Sequence, residues 1–148
     1  MKDFWLCFIP LFVAVDALGV LPMFTSLTAD IETGKKRRII RQSVATASFV
    51  SLIFLFAGKA LLRLLGITVA DFMIAGGVLL FVISISDILR SEKVQRQVDP
   101  DSLGAVPIGV PLIAGPAVLT TSVLVMDQYG YLLSSAALII NIMLAGLV

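Results

Sequence analysis

The residues with the most chemistry to offer stand where a membrane helix tolerates them least. Asp16 lies about midway along an apolar run, residues 4–28, that also holds Pro10, Gly19 and Pro22. A second run, residues 105–126, carries Pro107, Pro111, Gly115 and Pro116. Each interior proline removes one helical hydrogen bond and costs roughly 3 kcal/mol. In hydrocarbon the freed carbonyls find no water, so such breaks persist only when buried in protein or facing a wet cavity. An aspartate at mid-span costs roughly 2.5–3.5 kcal/mol on insertion scales. Asp16 therefore reads as a proton or cation site beside unwound backbone, or as an N-cap whose carboxylate accepts amide hydrogens from a half-helix starting near Leu18. Both roles can hold together. Paired interruptions in two halves of one chain are the sequence pointer to a transporter's binding site.

Other polar residues flank the breaks. Thr25, Ser26, Thr28, Thr120 and Thr121 could hydrogen-bond a polar substrate or rescue free carbonyls. Gly19, Pro22, Pro111, Gly115 and Pro116 complete the candidate substrate or ion site with Asp16, Thr25, Thr28 and Thr120. Asp87 lies three residues before Arg90, a spacing suited to an interfacial ion pair or a helix end. Asn141 falls mid-span in the last apolar run and suits a bond to a neighbouring helix. Gly76 and Gly77 allow close helix packing.

The chain has no histidine and one cysteine, Cys7. The usual zinc and haem ligands, Ser-His or Cys-His nucleophiles and an intrachain disulfide are excluded. No metal or cofactor is expected. Asp16 and Asp87 offer an acid–base pair on paper, but neither sits in the G-x-G-D setting of an intramembrane aspartyl protease, so the chain does not read as an enzyme.

Composition dictates the elements that must hold these residues. Apolar residues make up 59% of the chain and charged residues 14%, and mean hydropathy is +1.05. Soluble domains are about one quarter charged, and a chain this short cannot hide so much apolar surface in one core. The fold expected is all-α: a single polytopic transmembrane domain over residues 1–148 with five spans, near 4–28, 39–65, 72–89, 105–126 and 132–148. Spans one and four are the broken ones, with non-helical backbone expected around 16–22 and 111–116. A signal peptide is the rival reading of the N-terminus, but its apolar stretch is too long and Asp16 spoils the cleavage site. The last span ends without a polar flank, which reads as a cut chain.

Eight of the eleven cations fall in or beside links 29–38 and 90–104. The positive-inside rule places both links in the cytoplasm and the N-terminus outside. The run Lys35–Lys36–Arg37–Arg38 reads as stop-transfer, with an anionic-lipid or nucleic-acid patch as the alternative. A net charge of +1 argues against nucleic acid as a partner. Trp5, Tyr129 and Tyr131 suit an outer aromatic belt.

Three motifs in order carry a family resemblance over nearly the whole chain. Val15-Asp16-Ala17-Leu18-Gly19-Val20-Leu21-Pro22-Met23-Phe24, then Ser26-Leu27-Thr28, resembles the D-P-x-G-x-x-P-x-F-x-x-L-T signature of the MarC family of prokaryotic inner-membrane proteins. Ile74-Ala75-Gly76-Gly77-Val78-Leu79-Leu80-Phe81 followed by Asp87 is similar to that family's third helix. Val110-Pro111-Leu112-Ile113-Ala114-Gly115-Pro116, followed by Thr120, resembles its P-L-x-A-G-P segment. The family's Asp-Pro is Asp16-Ala17 here.

The resemblance implies six helices arranged as two inverted three-helix units, here a first repeat over about 4–90 and a second over about 105–148. Pro10-Leu11-Phe12-Val13-Ala14 and Pro111-Leu112-Ile113-Ala114 open the two broken spans alike. It also implies an inner-membrane location and, from some relatives, transport of small neutral amino acids. The partners expected are the lipid bilayer and a small-molecule substrate, with a homo-oligomer compatible. A non-transporting scaffold or assembly factor remains the alternative.

Overall fold

The computed structural model describes residues 2–68 and 104–147, with 70–72, 74, 75, 78, 81, 82 and 85 between them; of Pro107 and Pro111 only the backbone is described. Every regular element among them is helical. Span one is two helices, α1 (Lys2–Val15) and α2 (Ala17–Leu27), joined at Asp16. Span two is one helix, α3 (Thr33–Leu65), of 33 residues. At 1.5 Å per residue it is about 50 Å long, more than the roughly 30 Å of hydrocarbon. Its first turns, which carry Lys35–Arg38, therefore extend beyond the expected span start at residue 39. Span four is a loosely wound segment, Gly104–Ile113, followed by α4 (Pro116–Tyr129). The last helix is α5 (Tyr131–Leu147).

The described helical residues between 70 and 85 begin with a capping box. The Thr68 hydroxyl accepts the Asp71 amide at 3.2 Å, and the Asp71 carboxylate accepts the Thr68 amide at 2.8 Å and its hydroxyl at 2.7 Å. Two orphan donors of a helix start are thus satisfied reciprocally. Gly76, Gly77 and Asp87, with the cations of link 90–104, lie outside the described residues.

Among the described residues two helical stretches are long and apolar enough to cross a bilayer: Lys2–Leu27 with mean hydropathy 2.2 and Thr33–Leu65 with 1.8. Burial follows membrane logic. Trp5, Ile9, Val13, Leu18, Phe49 and Leu64 are exposed, whereas Ser43, Ser51, Ser122, Ser134 and Asn141 are buried. A water-soluble protein would bury the first set and expose the second.

Packing centres on α3, whose small residues Ser43, Ala47, Ser51 and Gly58 form part of its buried face. The loosely wound segment and α4 lie along it in the same direction, and α5 runs against it. Gly104 approaches Ile39 so closely that a methyl there would stand 2.7 Å from the Ile39 carbonyl oxygen, and Gly58 meets Val123. Gly146 meets Val44 at one end of α5, and Phe56 stacks on Tyr131 at the other, with ring centroids 5.3 Å apart. Lys59 of α3 pairs with Asp127 of α4. Asn141 of α5 donates to the Phe8 carbonyl of α1 at 3.1 Å and to Ala137 at 2.9 Å, the interhelical bond expected of it.

Candidate functional site

The two breaks arise by different chemistry. In span four, Val106, Val110 and Gly115 are extended, with φ of −137°, −138° and −85°. Each immediately precedes a proline, whose ring disfavours helical backbone in the residue before it. Between them the winding is wide: the Ala114 amide reaches back to Gly109 at 2.9 Å. Pro116 then opens α4 at a position where its missing N–H would have had no partner anyway. The interruption therefore starts at Val106, earlier than the expected 111–116.

Span one breaks at a single residue, not across 16–22. Pro10 and Pro22 both sit inside helices. Asp16 alone leaves the helix, with φ 45° and ψ 55°, the one non-glycine residue at positive φ among those described. Aspartate is among the few side chains that visit this left-handed region. Its amide still donates to Phe12 at 3.2 Å, and its carbonyl accepts from Val20 at 3.0 Å. Its carboxylate caps α2, accepting the Gly19 amide at 3.2 Å. A Cβ at Gly19 would collide with that carboxylate, so glycine leaves the room the cap needs. Ala17, where the family signature has proline, does not prevent the break.

The threonine hydroxyls bond to their own helices. Thr25 donates to Pro22 at 2.9 Å, Thr28 to Phe24 at 2.8 Å, and Thr120 to Pro116 and Ala117 at 2.8 and 3.1 Å. None of these acceptors is the carbonyl four residues before an interior proline, so the missing proline N–H groups are not replaced this way. Thr28 and Thr120 are buried, Thr25 and Asp16 are exposed, and Gly115 and Pro116 are half-buried. Residues flanking both breaks (Val15, Val20, Ile113, Ala114 and Val118) share one core cluster.

A cavity of about 250 Å³ opens beside that core. Its walls are Val20, Leu21, Phe24 and Thr25 of α2; Ile40, Ser43 and Val44 of α3; Ile108 and Ile113; and Ala145, Gly146 and Leu147 of α5. Of the candidate residues read from sequence whose side chains are described, Thr25 alone lines it. The aliphatic walls were not singled out because apolar residues at helical spacing look the same whether they pack or line a cavity. A separate polar feature lies in the bundle: among the described residues the side-chain oxygens Ser51 Oγ and Asn141 Oδ1 are buried without a hydrogen-bond partner. Among the described residues no group of three or more His, Cys, Asp or Glu is placed to hold a metal.

The sequence pattern of the family described as MarC family integral membrane protein matches residues 1–148. The chain belongs to the MarC family. It is 31% identical over 150 residues to a UPF0056 membrane protein of Methanocaldococcus jannaschii, covering 95% of this chain and 65% of that one. It is 36% identical over 121 residues to the UPF0056 inner membrane protein YhgN of Escherichia coli K12, covering 80% of this chain and 61% of YhgN. A UPF0056 membrane protein of Archaeoglobus fulgidus is 29% identical over 137 residues, covering 88% and 64%. Matches to these MarC relatives thus span a little under two thirds of their length. No solved structure matches the chain. Family membership and the exposed apolar surface agree that this is an all-α membrane protein.

Proposed function

We propose that the protein is a secondary transporter of small polar metabolites, with small neutral amino acids as the substrate class, and that the substrate sits between the two discontinuous spans. The observation that carries this reading is the pair of backbone breaks whose flanking residues share one core. The helix that starts after Gly115 has no side-chain cap, so its first N–H groups and dipole end can receive a substrate carboxylate, whereas Asp16 already caps the start of α2. Asp16 contributes a negative charge or a proton at the edge of that site, with Gly19, Pro22, Thr25, Thr28, Pro111, Gly115, Pro116 and Thr120 shaping it. No catalytic step is assigned to any residue. The reading puts the protein in a prokaryotic inner membrane, the location that YhgN's name gives for YhgN. The N-terminus lies outside, and links 29–38 and 90–104 are cytoplasmic. The two inverted repeats, about 4–90 and 105–148, belong to the same proposal.

A non-transporting scaffold or assembly factor is the second reading. It is favoured by the engagement of the Asp16 carboxylate in a cap and of the threonine hydroxyls with their own helices. Uptake of labelled alanine, serine and threonine into proteoliposomes separates the two. Transport predicts saturable, counterflow-competent flux that Asp16→Asn abolishes while the protein still folds. The amide keeps an acceptor oxygen for the cap but carries no charge and takes up no proton near neutral pH. Absence of flux for every substrate, with folded protein in the vesicles, would favour the scaffold.

A further inference from the structure

We infer that the cavity between α2, α3 and α5 is a binding site for one anionic phospholipid, its acyl chain in the cavity and its phosphate on Lys36 and Arg37. The inference does not need the transport reading: the two share Val20, Thr25 and Ile113, but neither Asp16 nor Gly115 is among the lining residues.

The walls decide what enters. Those described are aliphatic apart from Phe24, Thr25 and Ser43, and the two hydroxyls are already bonded to backbone carbonyls of their own helices, Thr25 to Pro22 and Ser43 to Ile39. A polar solute would lose hydration there and gain little in return. A hydrocarbon chain loses nothing.

The charge decides the rest. Ile40 is a wall residue, and Lys36 and Arg37 precede it by four and three positions, one turn toward the start of α3. Residues at these spacings share a helix face, and long helical side chains lean toward the N-terminus. Both cations are thus carried away from the hydrocarbon-like cavity toward the interface, where lipid phosphates lie. Lys36 is half-buried and Arg37 exposed. Neither forms an ion pair among the described residues, although Asp30 and Glu32 lie in the same link. Two uncompensated cations above an apolar slot complement an anion with a hydrocarbon tail. A neutral lipid would fill the slot and leave the cations unmatched.

The test is lipid retention by the purified protein in native mass spectrometry, with phosphatidylglycerol against phosphatidylcholine of identical chains. A preference for phosphatidylglycerol is expected, and Lys36→Gln/Arg37→Gln should weaken it about thirtyfold, from about 1 kcal/mol per cation. Leu21→Trp fills the slot and should abolish retention of both lipids. If Leu21→Trp retains phosphatidylglycerol as the parent does, the cations act as a diffuse surface patch and the acyl-chain site is wrong. A measurement without variants guards against misfolding. Phosphatidylglycerol with a diazirine near the chain terminus should crosslink to peptides holding Val20–Thr25, Ile40–Val44 or Ala145–Leu147. Crosslinks equally dense on the exposed face of α1 around Ile9 and Val13 would overturn the proposal, as would equal retention of the two lipids.

Discussion

Asp16 holds a left-handed backbone and caps a helix with the same side chain, so its replacements separate those two tasks. Asparagine tolerates positive φ and keeps a capping oxygen. Asp16→Asn should therefore unfold in mixed micelles at nearly the same denaturant concentration as the parent. Alanine does neither: it loses about 1 kcal/mol of cap and about 1 kcal/mol or more of left-handed tolerance. Asp16→Ala should accordingly be less stable by ~2 kcal/mol, a sum that rests on the same two costs. Equal stability of the two variants would mean that the bend is held by packing of Val15 and Val20, not by the aspartate. The type of Asp16 and its place in an apolar run marked it in the sequence. Its conformation was not legible there, because the nearby prolines pointed to a longer break, and both proved compatible with helix.

At the scale of elements, the start of the stretch after α3 carries a pH signature. Hydrogen bonds from the Thr68 hydroxyl and amide hold the Asp71 carboxyl below its ordinary value of 3.8. A carboxyl depressed on folding contributes stability above its unfolded pKa and loses it as pH falls through the folded one. Amide exchange around residues 68–72 should thus be slow and pH-independent, once corrected for intrinsic rates, above about pH 5 and rise below pH 4. Asp71→Asn should remove that acid dependence. An unchanged acid limb in the variant would assign it to another group. The capping box was written in Thr68 and Asp71, three apart. The break in span four was legible for a firmer reason: three X-Pro steps constrain Val106, Val110 and Gly115 through local sterics, whatever surrounds them. The cavity was not, since its walls come from four stretches distant in sequence and none is chemically distinctive.

For the whole molecule, orientation is the prediction that the cation distribution makes. Single cysteines at Gly34 and Gln128, in a Cys7→Ala background, place one exposed probe at each end of the bundle. Gly34 has open space around its Cβ position, so cysteine there should not disturb the fold. An impermeant thiol reagent added to intact cells should label Gln128→Cys and spare Gly34→Cys. The reverse pattern would invert the topology. Among the described residues the Lys59–Asp127 pair, the Phe56–Tyr131 and Phe54–Phe72 stacks and the Gly58–Val123 contact gather at one end of the helices, whereas the opposite end holds the cavity with the Gly104 and Gly146 contacts. From that uneven fastening we expect the bundle to behave as a pair of tongs, clasped at the Lys59–Asp127 end and gaping at the cavity end. Spin-label distances between Ser26 and Leu144 should then be broadly distributed, and those between Ala60 and Gln128 narrow; equal widths would mean the clasp restrains nothing. Swing of α2 about Asp16 would widen the cavity end without disturbing the clasp.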